Sequence, residues 1–306
     1  MGPAEQMDPM VIAFGFGVGV LIGLTGIGGG SLMTPLLVLF AGVHPVVAIG
    51  TDLAYGAVTK TLGGWRHLRK GTVDLGVSKW LAVGSVPGSL IGVWLVGRLQ
   101  RAYGEGFEPV LLGLVAGALL IVALTILGRA MFMPSLVARE RPAVNLTAGT
   151  KATATAIGAV LGLVIGLTSV GSGALIGLAL ILVFRLTPHR VVGTDVFHAA
   201  ILLWAAGLAH LVSGNVDFGL MGTILVGSLP GVWIGAQLIT RVPAAALRST
   251  LGCVLLGSAF GVLAKAGVEV PATAIVGVPA ALGVTSWLAH RARRGRVRAE
   301  LEVTPA

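Results

Sequence analysis

Nine apolar segments, near 11–40, 46–65, 77–97, 109–128, 152–184, 191–212, 218–240, 246–264 and 270–289, alternate with short polar connections. A helix of roughly 20 residues crosses the hydrocarbon core of a bilayer, so each segment predicts a membrane helix. Two of the segments, 11–40 and 152–184, are much longer than one crossing needs. Each carries clustered small residues in its middle: Leu24-Thr25-Gly26-Ile27-Gly28-Gly29-Gly30-Ser31 in the first, Leu167-Thr168-Ser169-Val170-Gly171-Ser172-Gly173-Ala174 in the second. Glycines at that density predict a break in the helix.

The polar stretch Arg129 to Lys151, with Arg139-Glu140-Arg141-Pro142 inside it, separates two halves that match at a fixed offset of 143 residues. Gly15 matches Gly158, Gly23-Leu24-Thr25 matches Gly166-Leu167-Thr168, and Gly50-Thr51-Asp52 matches Gly193-Thr194-Asp195. His67 matches His210, Val73-Asp74 matches Val216-Asp217, and Gly84-Ser85 with Pro87-Gly88 matches Gly227-Ser228 with Pro230-Gly231, all without a gap. A shared amphipathic bias does not hold one register for so long, so the chain reads as a duplication. The organisation is one membrane domain, 1–306: repeat one at 11–128, linker at 129–151, repeat two at 152–264, a C-terminal helix at 270–289 and a basic tail at 290–306.

Composition sets the environment. Hydrophobic residues make up 55% of the chain, charged residues 11%, and the mean hydropathy is +0.95. A soluble domain has too little interior to hide so much apolar side chain. The net charge of +9 suggests nucleic acid only until it is mapped, because the arginines gather in connections and in the tail from Arg291 to Arg298. That distribution belongs to the flanks of membrane helices and excludes a nucleic-acid partner. The single cysteine, Cys253, sits in an apolar segment and reads as inert core. No basic region precedes the first apolar run, so no signal peptide is expected.

Charge also orients the halves. Arg66, Arg69, Lys70 and Lys79 in repeat one have Ala209, Val212, Ser213 and Gly222 as counterparts, whereas Arg185 and Arg190 in repeat two match Gly42 and Val47. Equivalent connections of opposite basic content predict opposite sides of the membrane. Suppose 11–40 and 152–184 each enter and leave on one side, as re-entrant hairpins of two half-helices. Each repeat then adds three full crossings, and 17 Lys and Arg fall on the cytoplasmic side against 3 outside (Arg98, Arg101, Lys265), with Lys60 alone within a helix. If all nine segments cross, the basic residues split almost evenly. The fold expected is therefore all-α and polytopic: two inverted repeats, each a re-entrant hairpin plus three transmembrane helices, with an extra C-terminal helix and the C-terminus cytoplasmic. Half-helices of about 10 to 14 residues reach about 15 to 21 Å, which brings the glycine tips together near the midplane.

A tip of this kind presents free backbone N–H groups and the positive end of a helix dipole, which suits an oxyanion. Candidate substrate-binding residues are Thr25, Gly28, Gly29, Gly30 and Ser31 in the first tip, with Thr168, Ser169, Gly171, Ser172 and Gly173 in the second. The competing reading is close helix packing, and that reading is taken for Gly15, Gly19, Gly23, Gly158, Gly162 and Gly166 at four-residue spacing. Asp52 and Asp195, carboxylates inside apolar segments at the same repeat position, are candidate coupling groups for a proton or sodium ion, against a capping role at a helix start. Lys60, about 12 Å along the helix from Asp52, either pairs with an acid, attracts the anion or snorkels. His198 lies three residues from Asp195 and is a candidate hydrogen-bond partner for it, or a packed core histidine. His67, His210, Asp74 and Asp217 read as interface and capping residues. No metal-ligand spacing, catalytic triad or nucleotide loop is present, so neither an enzyme nor a cofactor is expected.

The series GLTGIGGGSLMTPLL, AIGTDL, HLRKGTVDL and GSVPGSLIG resembles the sulfite exporter TauE/SafE family of membrane permeases, over nearly the whole chain. The resemblance implies a bacterial inner-membrane protein that exports a small sulfur-containing oxyanion, such as sulfite or an organosulfonate. Many members carry Gly-Thr-Ser where this chain has Gly-Thr-Asp52 and Gly-Thr-Asp195, and Ser172 replaces the middle glycine of the second tip. A passive anion channel on the same hairpins, or a permease for another small organic anion, is the alternative. The partners expected are the anion, a coupling ion and the lipid bilayer.

Overall fold

The computed structural model describes residues 8–25, 30–132, 143–238 and 244–285, and among these it is helical throughout, joined by turns. The helices are α1 (Pro9–Thr25), α2 (Gly30–Leu39), α3 (Pro45–Arg69), α4 (Leu75–Tyr103), α5 (Phe107–Phe132), α6 (Ala148–Thr168), α7 (Leu175–Leu182), α8 (Pro188–Val212), α9 (Phe218–Leu238), α10 (Ala244–Lys265) and α11 (Ala272–Thr285). Five of them, α4, α5 (over Phe107–Gly128), α6, α8 and α9, are long and apolar enough to cross a membrane. The tail at 290–306 and part of the linker, 133–142, lie outside the described residues.

Local chemistry sets the ends. Pro45 and Pro188 open α3 and α8, where the missing N–H is no loss because the first turn has no acceptor for it. Asp74 caps α4 by accepting from the Val77 N–H at 3.0 Å, and Asp217 accepts from the Leu220 N–H at 2.9 Å ahead of α9. Both acids are caps, as their positions predict. The long segments 11–40 and 152–184 do break, but unevenly. Their first arms, α1 and α6, have 17 and 21 residues and their second arms, α2 and α7, have 10 and 8. The first arms exceed the expected half-helix even within the apolar runs, and the opening turns of α6 extend past its run. Ala148 to Thr153, with Lys151 among them, stand largely in the open.

Packing crosses between the halves. α1 lies along α9 and α6 along α4, and glycine faces backbone in both pairs. A Cβ on Gly15 would stand 2.7 Å from the Ile224 carbonyl oxygen, and one on Gly92 2.7 Å from that of Leu163. Only hydrogen fits there, so the four-residue glycine series are packing surfaces. α3 and α8 cross at the centre. Gly64 meets Phe197 while Gly207 meets Ala54, so the numbering runs in opposite senses and the two helices are antiparallel. The Trp204 indole N–H donates to the Thr61 hydroxyl at 2.8 Å, and these two residues are themselves 143 apart. A residue touching its own sequence counterpart marks the point about which the two halves are arranged.

The same contacts sort the basic residues. Arg69 stacks on Trp65 at 3.8 Å where α3 finishes, Lys151 lies over Trp80 where α6 and α4 begin, and Arg190 reaches the Val73 carbonyl where α8 begins. All share one end of the bundle. Arg98 and Arg101 finish α4 at the other end, where Lys265 also donates to the Val38 carbonyl at the close of α2, 2.6 Å away. Between the ends, large apolar side chains such as Val83, Ile91, Trp94, Leu229 and Trp233 face outward. In water that surface would be a liability, and against lipid tails it is the expected exterior.

Candidate functional site

The two breaks meet. A Cβ on Gly30, first residue of α2, would lie 2.9 Å from the Ser169 carbonyl oxygen, and the Gly171 N–H points at the Ser31 hydroxyl at 3.4 Å. Ser31, Ser169 and Ser172 are all buried at this junction. The second tip turns on Gly171 and Gly173, with φ of 111° and 105°. Side chains rarely adopt such values, which explains the glycines there. Gly28 and Gly29 lie outside the described residues, and of Thr25 only the backbone is described.

Asp52, on the second turn of α3 and 1% exposed, ties the tips together. Its Oδ2 accepts from the Thr34 hydroxyl at 2.7 Å and from the Ser169 hydroxyl at 2.8 Å. Ser169 reaches it from a left-handed backbone, φ 61°, just beyond the end of α6. Thr34 is the participant that sequence reasoning missed. It stands four residues after Gly30, on the same face of α2, and that spacing is the signal that could have found it. Thr168 behaves differently from a ligand donor. Its hydroxyl donates to the Val164 carbonyl at 2.7 Å and accepts from the Val170 N–H, so it braces the tip internally.

Asp195, on α8 and 4% exposed, stands at the matching place beside the second tip, where the Gly173 N–H faces its carboxylate. Lys60, on α3 and 7% exposed, acts on both acids, on Asp195 more strongly than on Asp52. Lys60 Nζ and one oxygen of each acid, Oδ1, have no hydrogen-bond partner among the described residues. Three buried ionisable groups thus keep unused hydrogen-bonding atoms near the tips.

His198 does not serve Asp195. Its Nε2 pairs with the Ser85 hydroxyl at 2.9 Å, because this face of α8 packs on α4 and the imidazole turns into that interface. Its counterpart Tyr55 stands opposite Ser228, the counterpart of Ser85, so both halves seat a ring against a serine. His67 and His210 hold the turns that follow their helices, through Thr72 at 2.9 Å and Asn215 at 3.3 Å. Those turns close on the central helices: the Asp74 N–H donates to Thr194 and the Asp217 N–H to Thr51. Among the described residues no group of three or more His, Cys, Asp or Glu is placed to hold a metal.

Chemically, each acid stands beside a helix start. Asp52 lies at the start of α2 and Asp195 at the approach to α7, where backbone N–H groups and the helix dipole favour negative charge.

Comparison with known proteins agrees with a transport role. The family model described as Sulfite exporter TauE/SafE matches residues 11–262. The probable membrane transporter protein YjnA of Bacillus subtilis (strain 168) is 36% identical over 252 residues, covering 82% of this chain and 98% of that protein. The probable membrane transporter protein YdhB of the same organism is 29% identical over 245 residues, covering 79% and 94%. A probable membrane transporter protein of Xylella fastidiosa (strain 9a5c) is 28% identical over 267 residues, covering 84% and 96%. No solved structure matches the chain.

Proposed function

Because the chain belongs to the sulfite exporter TauE/SafE family, and is by that membership a multi-pass membrane transporter, we propose a specific activity for it. It is a secondary permease that exports a small sulfur oxyanion, such as sulfite or an organosulfonate, across the bacterial inner membrane with a proton or sodium ion as coupling partner. The observation that carries the proposal is the junction itself: two broken-helix tips in contact, with Asp52, Asp195 and Lys60 buried around them. Broken helices and buried charge at membrane depth occur where a substrate path needs them.

The expected topology has support of the same kind. The antiparallel crossing of α3 and α8 suits inverted repeats. α1 begins beside the start of α9, and α2 ends beside Lys265 at that same end of the bundle, as a re-entrant hairpin requires. The end bearing Arg69, Lys79, Lys151 and Arg190 is assigned to the cytoplasm. With Cys253 replaced by serine, Arg98→Cys is expected to react with a membrane-impermeant maleimide in intact cells, and Lys79→Cys only after permeabilisation. The reverse pattern would invert the assignment, and equal labelling would remove it.

The substrate class is tested by thermal shift on purified protein, using sulfite, sulfate, thiosulfate, sulfoacetate, taurine and carboxylate controls. At a hundred times its dissociation constant a ligand adds about 2.7 kcal/mol to the folded state, enough to raise the melting midpoint by several degrees. Stabilisation by sulfur anions is expected. Stabilisation by carboxylates alone would overturn the sulfur-anion reading.

A further inference from the structure

The two acids look equivalent in sequence, but their surroundings are not. Asp52 accepts two hydroxyl hydrogen bonds, from Thr34 and Ser169. The sequence counterparts of those donors are Gly177 and Gly26, and neither carries a hydroxyl. Among the described residues Asp195 has the Gly173 N–H and the field of Lys60, whose own counterpart is Leu203. Duplication therefore built two acid seats that both feel Lys60, Asp195 more strongly, and among the described residues only Asp52 has hydroxyl donors as well.

We infer that the substrate anion and Asp195 compete for the positive charge of Lys60, and that Asp195 takes up the coupling proton when the anion wins; this rests on the permease reading above. Among the described residues, the charged and titratable groups facing this region are Asp52, Tyr55 and Lys60 from α3, with Asp195 and His198 from α8. His198 is engaged with Ser85 of α4, and Tyr55 stands opposite Ser228 of α9. Among the described residues Lys60 is the cation with an unpartnered donor and Asp195 the acid without a hydroxyl donor. With both carboxylates ionised and the lysine charged, the site carries one net negative charge. A monoanion that docks on the ammonium of Lys60 takes away the counter-charge of Asp195. A buried carboxylate without a counter-charge is costly, and binding a proton relieves that cost. The exchange balances: one anion and one proton enter, Lys60 stays an ammonium, and no covalent bond other than the new O–H forms. Sodium suits this place poorly, because the ammonium already supplies the positive charge and the hydroxyl ligands sit at Asp52 instead.

The experiment measures protons taken up as the full-length purified protein binds methanesulfonate or ethanesulfonate, monoanions that do not titrate near neutral pH, in weak buffer with a pH-indicator dye. The wild type is expected to take up about one proton per anion, with affinity falling about tenfold per pH unit once Asp195 is ionised in the free protein. Asp195→Asn is expected to bind with no uptake and no pH dependence. Asp195→Glu keeps the uptake and serves as the second variant should the amide destabilise the fold. Lys60→Leu is expected to lose binding at least tenfold. Asp52→Asn is expected to melt earlier yet keep the proton. Binding without uptake in the wild type, or undiminished uptake in Asp195→Asn, overturns the inference and leaves the permease reading standing. Uptake abolished by Asp52→Asn but not by Asp195→Asn overturns it as well. Failure of both anions to bind removes the permease reading and the inference with it.

Discussion

Gly162→Leu is expected to yield almost no folded protein. A Cβ at that position would lie 2.6 Å from the Cα of Ser85, closer than real atoms approach, and the obstacle is backbone that no rotamer change can clear. α4 and α6 would have to separate along their length. Overpacking against side chains typically costs about 1–3 kcal/mol, and a collision with backbone exceeds that. A membrane protein of ordinary stability, about 5–15 kcal/mol, has little to spare. Ser85 also hydrogen-bonds His198, so the displacement would reach the central helices. The measurement is the monodisperse peak of a fluorescent fusion on size exclusion. Gly113→Leu is the control, since no atom lies within 4 Å of a Cβ there. Recovery of Gly162→Leu at wild-type yield and melting midpoint would end the close-packing account.

Asp52→Ala is expected to reduce transport at least a hundredfold and to lower the melting midpoint. Removing the carboxylate orphans two buried hydroxyl donors, Thr34 and Ser169, and each orphaned group costs about 1–3 kcal/mol. The bond to Ser169 also reaches from one tip to the other, so its loss unfastens the junction. Ser169→Gly separates the two effects. It relieves a left-handed serine, a strain of order 1–3 kcal/mol, and loses one hydrogen bond, so stability should barely move. Transport measured in inverted vesicles should nevertheless fall steeply. If Ser169→Gly transports as the wild type does, the tip-to-tip bond is dispensable and Asp52 acts in some other way.

Apolar run length and caps placed most helices within a few residues of where they lie, because a bilayer-sized helix leaves little freedom in its ends. Asp74 capping α4 is legible for the same reason: an acid before a helix start has one obvious use. The helix breaks were legible from glycine density. The unequal arms were not, since the opening turns of α6 leave the apolar run and carry no pattern that marks depth. Contacts across the bundle were the least legible. His198 and Asp195 share a helical face by spacing, but the neighbouring helix decides where the imidazole goes, and Ser85 on α4 was not assignable to α8 beforehand. The asymmetry between the acids was written in plain letters, as Thr34 against Gly177. It acquired meaning only once Thr34 stood 2.7 Å from Asp52.

The crosswise pairing of helices also imposes a timetable on biosynthesis. The partner of α6 is α4, reached across 75 residues where the Thr155 hydroxyl donates to the Trp80 carbonyl. The partner of α1 is α9, and the stretch facing Gly15, around Ile224, is translated some two hundred residues later. Until the ribosome reaches it, the glycine face of α1 waits in the lipid with no backbone to meet. The nascent chain therefore holds its first helix undocked through most of synthesis, and only the arrival of α9 closes the bundle.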